Sequence, residues 1–385
     1  MALQVRELMS WDDAAGLEPR WEALVERNAT DTVFLSYAWL RTWWQHFGKG
    51  SRLLLLVVES GDELVGAAPL MIDRLPLLEG GAVRVRFTAN WQAGAMDLLA
   101  VPEERLAVVA ALTDHLLTKA SRWDVLDLDV IPSGSENLAA LEAELHSRGL
   151  RVSRMDRWRT PYLPLARSWE EQLTRFSSSM RRKLSTGWRI LRAPNVRFVA
   201  PAAVPAADLF GKYLAVEQRS WQAEYNPAST MAASPASERF YAELWEAAGE
   251  RGWVAGGLLE IGGRPAAFSY SLDYHGTVYI LKIGYDPEYQ RRSPGFVLTA
   301  LTVQEACQGG RHGLDFVGED SPWKLRWTDS ARTHVRLLAF RRGLHARACH
   351  AVLCGLRPRL SRLRPVQRLL ELDQRRQRPS RGGGE

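Results

Sequence analysis

The chain has 385 residues, 46% apolar and 24% charged, a globular composition whose length implies two domains rather than one core. No apolar run approaches the roughly 20 residues of a membrane helix, and acidic residues occupy the start MALQVRELMSWDD where a signal peptide needs an apolar core, so a cytoplasmic location is expected. The net charge of +6 belongs to the end of the chain: from Arg341 onward twelve arginines stand against three acidic residues, which leaves the remainder net acidic and unlike a nucleic-acid-binding face.

Apolar spacing predicts helices over 17–26 and 37–47, the latter dense in Trp39, Trp43 and Trp44. Strands over 53–58 and 64–72 flank the turn Gly61-Asp62, followed by a strand over 83–88, a helix over 105–118 and a strand over 125–130. An extended stretch over 159–168, punctuated by Pro161 and Pro164, separates the halves. A long helix then starts at Trp169, with Leu173, Phe176, Met180, Leu184, Trp188 and Leu191 at helical spacing until Pro194 ends it. Helices over 208–220 and 235–248 follow. Strands over 254–261 and 265–272 flank Gly262-Gly263, and a strand over 277–283, a helix over 294–306 and a strand over 313–317 complete the half.

Both halves therefore run hairpin, strand, helix, strand, and their turn pairs lie about 200 residues apart, the mark of a duplicated domain. The expected fold is α/β: two tandem domains, each a mixed, mostly antiparallel sheet flanked by helices. The expected divisions are 1–165, 166–340 and a basic tail over 341–385. Cys307, Cys349 and Cys354 form neither a disulfide framework nor a zinc spacing, so no metal is expected.

The segment 279–295, YILKIGYDPEYQRRSPG, carries the strongest signal. A strand breaks at Gly284 and Pro287, passes the basic loop Gln290, Arg291, Arg292, and opens a helix with Ser293 as N-cap and Pro294 at its first position. Gly295 leaves the backbone open to close approach. Free amides at the positive end of a helix dipole, beside arginines, suit a phosphate or pyrophosphate. The plainer reading is a capped helix with a solvated basic loop. In the first half the matching stretch carries Glu103 and Glu104, which would repel a pyrophosphate, so that half is expected to be a non-binding copy.

The segment Gln290-Arg-Arg-Ser-Pro-Gly295 resembles the Gln-x-x-Gly-x-Gly/Ala loop of GNAT acyltransferases, with Ser293 in place of the first glycine. A wider set resembles the CelD-like branch, associated with cellulose and exopolysaccharide biosynthesis: Glu217-x-x-Ser-Trp221, Gly284-Tyr285-Asp286, Ser293-Pro294-Gly295, Leu314-Asp315-Phe316 and Lys324-x-x-Trp327. Phe34-x-x-x-x-Trp39, Pro69-Leu70 and Asp97 extend the likeness into the first half. Tandem GNAT-like domains are also the plan of Fem-type aminoacyl ligases, and the helix bearing Arg181, Arg182 and Lys183 resembles a segment of those enzymes. The resemblance implies acetyl-CoA or another acyl-CoA as co-substrate, its pyrophosphate against the amides of Ser293 to Phe296, and direct acyl transfer to a nucleophile, usually an amine.

Such transfer needs a base, an oxyanion donor and a proton for the thiolate. Glu217 is the first candidate base, because Trp221 one turn on would share its face and raise its pKa; the alternative is a solvated carboxylate. Asp286 is the second, or else a turn residue before Pro287. Tyr285 is read as proton donor or as a stacking ring, and amides at the end of strand 277–283 as the oxyanion donor. Trp221, Lys282, Asp315, Lys324 and Trp327 are the substrate-binding candidates; Lys282 indicates a site only if it is buried. Arg181, Arg182 and Lys183 read either as contacts to an anionic acceptor or as a solvated face.

In the tail, Val352, Leu356, Leu360 and Leu363 recur at helical spacing across Pro358 and Pro365. They read as an interfacial helix at the inner membrane face or as a partly disordered segment. The expected function is acyl-CoA-dependent acyl transfer to a small-molecule or glycan acceptor in polysaccharide or cell-envelope biosynthesis. The alternatives are a Fem-type transferase using aminoacyl-tRNA, the one nucleic-acid partner entertained, and a non-catalytic partner of a polysaccharide synthase.

Overall fold

A computed structural model describes residues 2–76, 81–118 and 123–356. The chain divides into two units, one of Met1–Arg157 with a return segment from His334, the other of Trp158–Thr333.

The first unit contains β1 (Leu3–Leu8), α1 (Glu18–Arg27), α2 (Tyr37–Phe47), β2 (Arg52–Ser60), β3 (Glu63–Arg74), β4 (Val83–Phe87), β5 (Leu99–Ala100), α3 (Arg105–Thr118), β6 (Val125–Pro132), α4 (Glu136–Ser147) and the start of β7 (Arg151–Pro164). In the second lie α5 (Trp169–Arg175), α6 (Ser178–Leu191), β8 (Val196–Val199), α7 (Ala206–Arg219), α8 (Trp221–Tyr225), α9 (Pro235–Glu250), β9 (Val254–Ile261), β10 (Arg264–Tyr274), β11 (Thr277–Tyr285), α10 (Pro294–Gln308) and β12 (Gly313–Asp315). β13 (Ala331–Phe340) and α11 (Leu344–His350) return the chain to the first unit.

The two sheets repeat one plan. In the first, β1, β2, β3 and β4 pair antiparallel in that order, β6 joins β4 in parallel, and β13 joins β6 antiparallel. In the second, β8, β9, β10 and β11 pair antiparallel, β12 joins β11 in parallel, and Tyr162–Pro164 of β7 joins β12 antiparallel. The α/β class, with a largely antiparallel sheet flanked by helices, is as the sequence indicates.

In each sheet the last strand comes from the far side of the sequence boundary. The chain returns to the first unit at His334, ahead of the expected boundary at 340, because the register starts there with His334 opposite Pro132. The extended stretch 159–168, expected at the break between the halves, is in part strand: β7 runs to Pro164 and pairs with β12.

The helix expected from Trp169 to Pro194 is two helices. Phe176 is extended (ψ 148°), and the Ser177 Oγ accepts the Met180 amide, starting α6 anew. A serine competing for the backbone breaks the helix, while the apolar spacing survives because Trp169, Phe176, Met180 and Leu184 all enter one core with Val303 and Leu314. The strand expected over 313–317 stops at Asp315, and Val317 takes a positive φ of 45°.

Side chains alternate across the second sheet. Leu259 and Ala267 meet Val297 and Leu298 of α10 on one face. Phe268 and Tyr270 point the other way and pack on Tyr213 of α7, at 5.3 and 6.4 Å between ring centroids.

The tail starts inside the first unit: Ala346, Cys349 and Leu353 pack with Leu75, Val125, Leu338 and Phe340. Leu360, Leu363 and the rest of the basic segment lie outside the described residues. Among the described residues no helix is long and apolar enough to cross a membrane.

Candidate functional site

The parallel pair differs between the units. In the first, β4 and β6 pair up to Arg86 and Asp127, and β4 ends one residue later at Phe87. In the second, β11 and β12 pair only over Thr277–Tyr279 and Gly313–Asp315, after which β11 runs on to Tyr285. Leu281 is an extra residue in the β10–β11 register, where Lys282 faces Tyr270 and Ile280 faces Ser271. A bulge of this kind bends a strand and increases its twist. β12 ends at Asp315, opposite Tyr279, and among the described residues the edge of β11 from Leu281 onward has no strand partner on that side.

The strand then reaches a corner. Gly284 has no Cβ because the Phe268 ring occupies that space. A 3-10 turn over Pro287–Arg292 follows, and α10 opens at Pro294. Ser293 does not cap it as expected: the residue is left-handed (φ 46°, ψ 50°), and its side chain accepts no amide. Pro294 has no N–H. The first donors of α10 are the Gly295 and Phe296 amides, since the Val297 amide already bonds to the Ser293 carbonyl. Arg291, Arg292 and Ser293 are exposed around this mouth.

A cavity of about 420 Å³ lies between the mouth and the end of β11. Ile283, Gly284 and Tyr285 line it from the strand, Gln290 and Ser293 to Phe296 from the turn and α10, and Trp221 and Gln222 from α8. Lys183 of α6 and the loop residues Trp323, Arg326 and Trp327 close it. Phe296 and Trp327 stack at 5.1 Å with 24° between planes, and the Lys183 ammonium sits 4.3 Å from the Phe296 centroid. Gln222 donates to the Ile283 carbonyl at 2.7 Å, which fixes α8 against the strand.

Of the residues read from the sequence, Tyr285, Gln290, Ser293, Gly295, Phe296, Trp221 and Trp327 meet in this cavity. Other candidates serve as clasps around it. Glu217 and Trp221 do not share a helix face, because α7 ends at Arg219 and extended Ser220 intervenes before α8. Trp221 is 44% exposed, whereas Glu217 is 4% exposed and accepts the Met231 amide with both oxygens, at 2.9 and 2.8 Å. Burial raises the Glu217 pKa against these amides and the nearby Lys282.

Lys282 donates to the Ser229 carbonyl, and burial lowers its pKa to about 8 against the charge of Glu217. The two side chains thus hold the loop between α8 and α9 from α7 and β11. Asp286 caps the 3-10 turn through the Glu288 amide and takes a 2.6 Å bond from Arg219. Asp315 accepts the Val317 amide and pairs with Arg332 at 3.2 Å, and it does not line the cavity. Lys324 donates to the Val317 and Glu319 carbonyls, and burial lowers its pKa to about 8. It fastens the loop that brings Trp323, Arg326 and Trp327 to the cavity.

Sequence reasoning did not place Gln222 or Trp323. The first adjoins Trp221 and the second adjoins Lys324, so proximity to a marked position was the only available signal. Lys183 was noted within a charge run, and the structure separates it from its neighbours: Arg181 bonds to the Phe176 carbonyl, Arg182 is exposed, and Lys183 alone of the three reaches the cavity.

Residues 178–325 match the family model of the acetyltransferase (GNAT) domain. Similar solved structures include FemX, with 11% identity and a TM-score of 0.51 over 91% of this chain and 99% of that one. L-PGS from Bacillus licheniformis has 12% identity and a TM-score of 0.50, covering 86% and 94%. A conserved protein of unknown function from Bacteroides thetaiotaomicron has 12% identity and a TM-score of 0.51, covering 88% and 100%. At such identities the likeness is one of fold. No curated protein matches the chain. The early end of the β11–β12 pairing, the open helix mouth and the family match agree: the second unit carries an acetyltransferase (GNAT) domain, and the chain is a transferase of that type.

Proposed function

We propose that the second unit transfers an acyl group from acyl-CoA to an amine of a small-molecule or glycan acceptor, in polysaccharide or cell-envelope biosynthesis. The observation that carries this reading is the open mouth of α10 beside the unpaired end of β11. The residues there fit a diphosphate. The Gly295 and Phe296 amides have no helical carbonyl one turn back, no Ser293 side chain covers them, and Arg291 and Arg292 stand exposed alongside. The residue set resembling CelD-like proteins supports the polysaccharide setting.

Bound acyl-CoA supplies an activated thioester. The free edge of β11 offers backbone donors for the oxygen on which charge develops, and one such donor is worth about 100- to 1,000-fold in rate. Tyr285 lines the same cavity and is placed to give a proton to the leaving thiolate. Among the described residues no carboxylate or histidine lines the cavity, which favours loss of the acceptor's ammonium proton to solvent. Glu217, locked on the Met231 amide, acts by holding the loop behind α8.

A thermal-shift series tests this reading. Acetyl-CoA at 100 times its dissociation constant should add about 2.7 kcal/mol of stability. A shift with aminoacyl-tRNA and none with any acyl-CoA would move the assignment to a Fem-type reaction. No shift with either would remove both.

A further inference from the structure

We propose that the cavity contains a second anion seat, between Lys183 and Arg326, which takes the carboxylate or phosphate of the acceptor. This inference rests on the acyl-CoA reading, because it assigns the α10 mouth to the co-substrate and these two cations to its reaction partner.

Several cations of the second unit have partners. Arg219 is paired with Asp286, Arg311 with Asp273, Arg332 with Asp315 and Lys212 with Glu260. Lys282 and Lys324 lie on backbone carbonyls. Among the described residues Lys183 and the exposed Arg326 have neither a carboxylate nor a hydrogen-bond acceptor, and unlike unpaired surface arginines such as Arg182 and Arg197 they face one cavity. Lys183 is half-buried there, with the Phe296 ring as its contact. Burial, and then the charge of Arg326, hold its ammonium below the ordinary range, so the two cations repel each other across the space. An oxyanion placed between them would replace that repulsion with two attractions.

The surrounding elements fix this pair. Gly187 lies four residues after Lys183, on the same face of α6, and a Cβ there would already touch Val297 of α10 at 3.4 Å. The glycine allows the helices to close up, which brings Lys183 over Phe296. Trp327, 4% exposed, stacks beneath that ring and anchors the loop bearing Arg326. Trp221 and Trp323 complete an aromatic wall. Such walls lower the local dielectric, which strengthens a charge contact, and they offer flat faces to a ring.

The seat is distinct from that of the co-substrate diphosphate. The latter has its own donors in the Gly295 and Phe296 amides and its own arginines, Arg291 and Arg292, neither of which lines the cavity. The acceptor class that follows is a ring compound carrying a carboxylate or phosphate near its reacting amine.

The test uses the full chain saturated with CoA and inorganic phosphate as the probe, against potassium chloride at equal ionic strength. Thermal shift and calorimetry should show saturable phosphate binding to the CoA-loaded protein. R326Q and K183Q should each weaken it at least tenfold, K183R should retain it, and acetyl-CoA affinity should change less than threefold in all three. An absent phosphate response, or one that survives in R326Q, would overturn the proposal. So would a tenfold loss of acetyl-CoA affinity in R326Q, which would assign the cations to the co-substrate. Failure of the underlying reading looks different: acetyl-CoA would not bind the unaltered protein, while the phosphate response could still be read.

Discussion

Arg219 Nε donates to Asp286 Oδ2 at 2.6 Å, tying the end of α7 to the corner where β11 leaves the sheet. The other Asp286 oxygen accepts the Glu288 amide at 3.0 Å, so the carboxylate is committed to the turn and does not line the cavity. D286N keeps an acceptor for only one of the two contacts and so should lose some stability, but it should retain turnover within about threefold. R219A should lower stability by about 1–2 kcal/mol, the scale of a charged hydrogen bond reduced by the 40% exposure of the arginine. Urea denaturation of both variants with a CoA-release assay checks this, and a hundredfold loss of turnover in folded D286N would restore Asp286 as a catalytic group.

Ser293 sits in the left-handed region, which costs an L-residue with a Cβ roughly 1–2 kcal/mol, and no side-chain cap compensates it. S293G should therefore stabilise the protein, by about 0.5–1 kcal/mol once the greater freedom of glycine in the unfolded chain is counted. Acetyl-CoA binding should persist, because the Gly295 and Phe296 amides stay in place. Chemical denaturation and calorimetry on the same preparation measure both, and a lower stability would mean that the hydroxyl has a contact of its own.

The strands and helices that bury one face were legible. The apolar runs of β9, β10 and β11, bounded by glycine and proline turns, and the Ser-Pro start of α10 mark elements the structure contains. What escaped was set by pairing at a distance. β13, with Arg332 and Arg336, and the proline-marked end of β7 take their strand places by pairing with β6 and β12. Ser177 hid a helix break because both helices feed one core and so keep one apolar rhythm. At the site, backbone chemistry was legible from Gly295, since a missing side chain has a local meaning. The partners of Glu217 and Asp286 were not, because Met231 and Arg219 meet them only after the chain has folded back.

Gly295 lies 3.3 Å, measured from an added Cβ, from Tyr285 Cδ1. G295E should abolish the acetyl-CoA-induced thermal shift while leaving the fold intact by circular dichroism, since the side chain brings both bulk and a negative charge to the diphosphate seat. Y285F should separate from it. Acetyl-CoA affinity should hold, and kcat should fall by about a hundredfold, the low end for a lost general acid. An unchanged shift in G295E would dismiss the seat, and unchanged kcat in Y285F would dismiss the proton donor.

Lys282 offers a pH signature of the clasp behind α8. Burial lowers its pKa from the ordinary 10.5 to about 8, so between those values the unfolded chain holds a proton that the folded chain has released. Stability then rises with pH across that window, while below about 8 the burial cost of the ammonium is fully present. Lys324, also lowered to about 8, acts in the same direction, and Cys307, raised to about 11, acts in the opposite one. Each contributes equally to the protein and to K282M, so the informative quantity is the difference between the two. The stability of the unaltered protein relative to K282M should climb steadily from pH 8 to 10.5 in urea titrations. A flat difference would mean that water reaches the Lys282 ammonium and that the loop over Ser229 is not closed on it.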